Sequence, residues 1–243
     1  MSSSIKVVLV ALLSIAPPAR GQTTVVARLF DGGSLNGWEG SPGVWRVADG
    51  AIIGGTLSKP ILQDEFLCTI SEFANFELRV AARLKGAGRN GGVSFRGQRV
   101  RGSNQVAGYQ ADIGFIPGQA IASLSDTVPA DLDRLYPLWG SLLDEHREVA
   151  GRYPNPAQPY RLLAVAPRAI VDRTLRADDW NEIAVSAVGP GIRLQLNGVT
   201  TVEFTEKGNV PTAGRVCLQV HKGAALEAWY RDISILPIAV PGD

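Results

Sequence analysis

The sequence predicts an all-β fold, a jelly-roll β-sandwich with little helix, and three observations carry that reading. Short apolar runs alternating at period 2 recur along the chain, glycine-rich turns separate them, and no stretch offers a long amphipathic helix. Val44–Val47 and Ala51–Ile53 flank Ala48-Asp49-Gly50, while Ile192–Leu196 and Val199–Phe204 flank Asn197-Gly198. Asp-Gly and Asn-Gly suit the tight turn between twisted antiparallel strands, because its central residues need positive φ. Phe76–Val80, Val93–Arg96, Ile183–Ala187 and Val216–His221 alternate as half-buried strands do. Short turns near Asp131–Leu135 are the best helix candidates. Residues 115–138 and residues 146–178, the latter holding Pro154, Pro156, Pro159 and Pro167, break the period and read as long irregular excursions. Loops of that length in a compact domain are usually functional or mobile.

The N-terminus reads as a targeting segment. Lys6 precedes an apolar stretch from Val7 to Ala16, then Pro17-Pro18 and Ala19-Arg20-Gly21, with small residues where a cleavage site needs them. The stretch is too short to span a bilayer, so residues 1–21 are expected to be a cleaved secretory signal and residues 22–243 one domain. No cysteine follows the stretch, which argues against a lipoprotein anchor. The mature chain is therefore expected to be exported, periplasmic or extracellular, and not membrane-embedded. Without Lys6 and Arg20 the 24 basic residues become 22, against 23 acidic ones. So balanced a surface gives no electrostatic reason to expect nucleic acid or an anionic membrane as partner. Cys68 and Cys217 lie in apolar strand-like runs; in an oxidising compartment they pair if they are neighbours and otherwise remain buried thiols.

Alternation also sorts side chains by face before any topology is known. Glu77 and Arg79 oppose Phe76, Leu78 and Val80; Ser94 and Arg96 oppose Phe95. Gln110 shares a face with Asp112, Cys217 with Gln219 and His221, and Glu227 with Trp229 and Arg231. The simplest reading is the wet side of a sandwich. However, this polar set is rich in Arg, Gln, Asp, Glu and His, planar groups that make bidentate contacts, rather than in Lys and Thr. Tyr109, Trp139, Trp229 and Tyr230 lie among or beside them, as a sugar-stacking surface requires. The pattern therefore points to a face that binds a carbohydrate.

Other motifs carry less. Gly86-Ala-Gly-Arg-Asn-Gly91 matches a dinucleotide fingerprint but leads into a strand, not a helix, and reads as a glycine-rich hairpin loop. With His146 and His221 the only histidines, a zinc site built on histidine is excluded. No serine sits in a nucleophile elbow. An oxygen-ligand site for a divalent cation could draw on Asp112, Asp144, Glu145 or Glu227, although acidic pairs such as Asp144-Glu145 are more often solvated or paired with Arg. His221, two residues from Gln219, is a candidate acid or base because an unperturbed imidazole titrates near neutrality.

Several segments, in order, carry a resemblance. They are Leu29-Phe-Asp-Gly-Gly-Ser-Leu-Asn-Gly-Trp38, Trp45–Gly50, Phe76–Arg79, Asn90-Gly-Gly-Val-Ser-Phe-Arg96 and Gly108-Tyr-Gln-Ala-Asp-Ile-Gly114. Trp139-Gly-Ser-Leu-Leu-Asp-Glu145, Asp179-Trp-Asn181, Leu196-Asn-Gly198, Leu218-Gln-Val-His221 and Trp229-Tyr-Arg-Asp-Ile233 follow. Together they resemble the 3-keto-disaccharide hydrolase domain family over nearly all of the mature chain. The resemblance implies a concanavalin-like or glucanase-like jelly roll that cleaves the glycosidic bond of 3-keto-glycosides or 3-keto-disaccharides, by hydrolysis or by lyase chemistry. The family's usual Tyr-Glu-x-Gln strand is here Tyr109-Gln-Ala-Asp112, placing an acid at 112 rather than 110. Residues 115–138 read as an insertion, a lid or specificity loop over the binding face.

A ketone at C3 acidifies the C2 proton, so a modest base can remove it and expel the C1 substituent. Such a reaction needs a base near C2, charge stabilisation at the forming enolate, and an acid for the leaving oxygen. The expected assignment is His221 or Asp112 as base, Arg96 or a divalent ion at the enolate, and Glu145 or Glu227 as acid. Gln110, Asp144, Gln219 and Arg231 would hold hydroxyls, with Tyr109, Trp139 and Trp229 packing on the sugar. The competing expectation is a non-catalytic, lectin-like carbohydrate-binding module, which needs aromatics and amides but no converging titratable groups.

Overall fold

The computed structural model describes residues 25–117, 135–147 and 160–240. Their alternating runs form sixteen strands in two antiparallel sheets. The first sheet runs, in spatial order, β14 (Val199–Thr205), β13 (Gly191–Leu196), β12 (Asn181–Val188), β6 (Phe76–Gly86), β16 (Leu226–Pro237), β4 (Ala51–Thr56) and β3 (Trp45–Ala48), with β1 (Ala27–Arg28) also paired to β16. The second runs β11 (Tyr160–Ala164), β10 (Leu142–Glu145), β8 (Val106–Pro117), β7 (Asn90–Arg99), β15 (Gly214–Val220), β5 (Glu65–Phe73) and β2 (Trp38–Glu39), with β9 (Leu135–Pro137) on β8.

The inner faces meet in one core. Phe76, Leu78, Val80 and Leu84 of β6 and Tyr230 of β16 share it with Val93, Phe95, Tyr109, Ile113, Leu218 and Val220 of the second sheet. Burying each large apolar side chain stabilises by about 1.5–3 kcal/mol. A one-residue slip of any strand would turn that whole set to the outside, so the alternation fixes the register. Tyr230 also ties the sheets together: its hydroxyl crosses the core and donates to the Gln219 carbonyl of β15 at 2.6 Å.

Both expected two-residue turns form. Asp49 and Gly50 have φ of 52° and 68°, and Asn197 and Gly198 have 49° and 81°. The Gly86–Gly91 loop is not a hairpin, because β6 and β7 belong to different sheets and the loop carries the chain from one to the other. It passes so close to the start of β16 that a Cβ at Gly86 would lie 2.6 Å from the Ala225 carbonyl oxygen. The described residues of the 146–178 stretch are more regular than expected. They contain β11 and a helix, α1 (Arg168–Thr174), which starts after Pro167 and buries Val171 against the core. Leu135, expected in a short turn, opens a strand instead. Residues 131–134 lie outside the described residues, as do 118–134 of the expected lid and all of the expected signal segment.

Cys68 and Cys217 stand directly opposite each other in β5 and β15, with Cα atoms 4.0 Å apart, and form a disulfide. It closes a loop between residues 149 apart in sequence, which restricts the unfolded chain. The Cys68→Ala/Cys217→Ala variant is therefore expected to lose about 2–5 kcal/mol of stability. The urea midpoint reads this, and an unchanged midpoint would show that the bond contributes nothing.

Candidate active site

The second sheet's outer face carries polar groups in its middle. Cross-strand register puts Asp112 of β8 opposite Gly92 of β7, Gly92 opposite Gln219 of β15, and Gln110 opposite both Ser94 of β7 and Leu143 of β10. Glu145, opposite Gly108, points the same way. Residues directly opposite in an antiparallel pair share a face, so Ser94, Gln110, Asp112, Glu145 and Gln219 form one patch. Ser94 donates to Gln110 Oε1 at 2.8 Å, and Gln110 Nε2 donates to Gln219 Oε1 at 3.1 Å and reaches Glu145 Oε1 at 3.5 Å. Glycine at 92 makes this possible: a Cβ there would sit 2.2 Å from the Gln110 amide carbon.

Two small apolar clusters flank the patch on the same face. One gathers Tyr136, Leu138, Leu143 and Leu162; the other gathers Phe66, Val106 and the disulfide. Between them the five polar residues are all buried. Desolvation pushes the Asp112 carboxyl well above the ordinary carboxylate range, partly offset by the Ile113 N–H and the Gln110 side chain. Glu145 is also raised well above its ordinary range, first by burial and then by the charges of Asp112, Asp64 and Asp144, against Lys222. Asp112 Oδ1 has no hydrogen-bond partner among the described residues. Buried polar atoms are usually satisfied, so an unpartnered carboxyl oxygen here marks a place where a polar ligand would bond.

The rim is built by two segments joined at Ile61 and Gly223, which exchange backbone hydrogen bonds of 2.9 Å. Asp64 accepts the Lys222 N–H at 2.9 Å and lies 3.8 Å from Lys222 Nζ and 3.7 Å from His221 Nε2. His221 Nδ1 is 2.6 Å from the Lys222 carbonyl oxygen, which can only accept, so the proton is on Nδ1. His146, in the left-handed region at φ 54°, has its pKa lowered by burial, against the Asp64 charge. It follows Glu145 directly in sequence. Asp64, Lys222 and His146 were not legible as site residues. They follow strand ends or lie in loops, where period 2 no longer sorts side chains.

Seven expected site residues lie elsewhere. Tyr109 and Asp144 belong to the inner face, because each is one residue out of step with Gln110 and Glu145. Tyr109 stacks on Phe95, donates its hydroxyl to Glu206 and lies under the Arg147 guanidinium; burial and Glu206 push its pKa up to about 12. Asp144 pairs with Arg147 at 3.4 Å. Trp139 is part of the core rather than a stacking platform. Arg96 sits at a bulge in β7, in the left-handed region, and its guanidinium donates to the Ala74 and Gly189 carbonyls. It braces a turn instead of facing an enolate. Glu227, Trp229 and Arg231 are on the outer face of the other sheet, Glu227 paired with Arg46. The four acids considered for a divalent cation therefore do not converge. Among the described residues no group of three or more His, Cys, Asp or Glu side chains is placed to hold a metal ion. Asp112, Glu145, Gln110 and Gln219 do come together, with His221 at the rim.

Two antiparallel sheets, one with a desolvated polar outer face, make this a jelly-roll sandwich of the kind found in glucanases and carbohydrate-binding modules. Similar solved structures include a provisionally assigned glycosyl hydrolase from Parabacteroides distasonis, 16% identical, with TM-score 0.58 over 88% of this chain and 94% of that one. The carbohydrate-binding module CBM66 from Bacillus subtilis is 13% identical, with TM-score 0.54 over 82% of this chain and 95% of that one. The Bacillus licheniformis β-glucanase is 11% identical, with TM-score 0.52 over 89% and 98%. At such identities the likeness is one of fold. No curated protein matches the chain in sequence. The family model of the 3-keto-alpha-glucoside-1,2-lyase-like domain matches residues 26–236, and the chain belongs to that family.

Burial of the two carboxyls has a cost that the fold carries. A carboxyl whose folded pKa is raised favours folding at low pH, and that contribution is lost as pH rises through the folded pKa. Asp112→Asn and Glu145→Gln are thus expected to stabilise the protein at pH 7, on the order of 1 kcal/mol each or roughly 2–4 °C in Tm. The gain should shrink as pH falls towards about 4. Melting curves at both pH values test this, and a loss of Tm at pH 7 would contradict it.

Proposed function

We propose that the protein is a carbohydrate-active enzyme that cleaves the glycosidic bond of 3-keto-glycosides by elimination across C1 and C2. The supporting observation is the coupled Asp112–Glu145 pair on a desolvated face among sugar-binding amides. Two interacting buried carboxyls ionise one after the other, so between the two steps such a pair offers one carboxylate and one carboxylic acid. The charge of Asp112 raises Glu145, so Asp112 serves as the base and Glu145 as the acid.

In this reading the Asp112 carboxylate takes the C2 proton, and the electron pair forms the C1–C2 double bond conjugated with the C3 ketone. The C1–O bond breaks, and the Glu145 carboxyl gives its proton to the leaving oxygen. Lys222, the cation facing Glu145, takes the enolate-stabilising role first expected of Arg96. Gln110 and Gln219 hold sugar hydroxyls; between turnovers Asp112 releases its proton to water and Glu145 takes one back from water. The alternative, a lectin-like module, draws on the likeness in fold to a carbohydrate-binding module. Against it, Tyr109 and Trp139 face the core and give the patch no stacking platform.

The test is incubation with a 3-keto-glucoside, following aglycone release and solvent deuterium exchange at C2. Wild type should do both. Asp112→Asn should lose both by about 10²–10⁴-fold, the range of general-base catalysis. Glu145→Gln should lose release while keeping part of the exchange. Binding of unoxidised sugar without release or exchange would favour the binding module.

We also propose that residues 1–21 direct export, which suits a disulfide-bonded domain. Protein recovered from the periplasm or medium of an expressing bacterium should begin at Gln22 by intact mass. Retention of residues 1–21 in the cytoplasm would overturn this.

A further inference from the structure

The outer face of the first sheet carries a different constellation, on the side of the sandwich away from Asp112 and Glu145. In β6, Arg83 and Lys85 alternate outward, while Ala82 and Leu84 face the core. The register sets Trp229 opposite Arg83, and Glu227 opposite Lys85. Trp180, just before β12, meets Trp229 edge to face with centroids 6.5 Å apart. The Arg83 guanidinium lies 4.6 Å from the Trp180 ring centroid and 4.9 Å from that of Trp229. Lys85 Nζ lies 4.1 Å from the Trp229 ring, and the Arg231 guanidinium 4.2 Å from the Trp180 ring. Two indoles thus hold three cations in place, each at cation–π distance.

These cations differ in what neutralises them. Glu227 is occupied by Arg46 and accepts the Trp229 Nε1–H at 3.0 Å, and Asp232 pairs with Arg231 at 3.2 Å. Arg83 and Lys85 have neither an acidic partner nor a hydrogen bond to a side-chain or backbone acceptor among the described residues, and Arg83 Nε is buried without a partner. The rings fix their stems, so part of the entropy that a long cationic side chain would lose on binding is already spent.

We propose that this face is a second carbohydrate site, binding an anionic polysaccharide through its carboxylates. A guanidinium held flat with free N–H edges is made for bidentate pairing with a carboxylate. Lys85, two residues along the strand and roughly 7 Å away, would meet the next anionic group. Glu227 and Asp232, interleaved with the cations, can accept sugar hydroxyls but would repel a closely spaced row of phosphates. The indole faces are covered by the cations, so they offer no platform for stacking nucleobases. The site would hold the protein on a polymer without touching the chemistry on the opposite sheet.

Affinity electrophoresis in gels containing polygalacturonate tests the proposal. Dextran gels give the neutral control, and a gel containing RNA at equal salt gives the competing polyanion. Wild type should be retarded by polygalacturonate and not by dextran, and the retardation should fade with added salt. Arg83→Gln/Lys85→Gln should weaken it at least five-fold, with Lys85→Gln alone, which leaves the indole packing in place, losing part. Arg193→Gln, elsewhere on the same face, should change nothing, and matched circular dichroism spectra would show that the variants are folded. No retardation by polygalacturonate, equal retardation of the folded double variant, or tighter retention by RNA would each overturn it.

Discussion

Desolvation of the outer face of the second sheet is the constraint on which the site depends. A sandwich ordinarily leaves one side of each sheet in water, where Asp112 and Glu145 would be ordinary carboxylates. Here two apolar clusters stand on either side of the polar strip, one built around Leu143 and the other around the disulfide and Phe66. They exclude water from a row of five polar residues. Their effect is chemical as well as structural, because it raises both carboxyl pKa values and strengthens each hydrogen bond in the row. The disulfide thus contributes twice, closing a long loop and walling one side of the strip.

The other sheet supports that strip from behind. Tyr230 reaches from β16 across the core to the Gln219 carbonyl, so the backbone under Gln219 is held by a residue of the opposite layer. Beneath Glu145, the adjacent Asp144 turns inward to Arg147, which in turn lies on the Tyr109 ring. The strands that present Gln110 and Glu145 outward are thereby fastened by their odd-numbered and even-numbered neighbours inward. Period-2 geometry lets one short strand brace the core with one residue and serve the site with the next.

That same geometry explains what the sequence revealed. Alternation identified most of the strands and both Asn-Gly and Asp-Gly turns, and it grouped Gln110 with Asp112. It could not say which sheet a strand would join. Glu227, Trp229 and Arg231 alternate as convincingly as Gln110 and Asp112, yet β16 pairs with β6 in the other layer. Nor does alternation survive a bulge: Arg96 looks outward by parity from Ser94, but a left-handed residue at that point turns its guanidinium to Ala74 and Gly189. Tyr109 and Trp139 misled for a third reason, since aromatic character suggests sugar stacking as readily as core packing. Lys222 and Asp64 carried no local signal at all, because a long-range bridge at Ile61 and Gly223 brings them together.

The two outer faces solve the problem of charge in opposite ways. On the second sheet, acids are stripped of water and packed beside amides, which makes them costly to ionise and useful for moving protons. On the first, indole rings hold three cations at cation–π distance, and among the described residues Arg83 and Lys85 have no acidic partner. The first arrangement tunes the protonation of its acids; the second fixes the stems of its cations. A face of ring-held cations suits the polymer binding proposed for it, and a face of desolvated carboxyls suits proton transfer. The jelly roll keeps the two faces apart by a full layer of core, so that neither surface reaches the other.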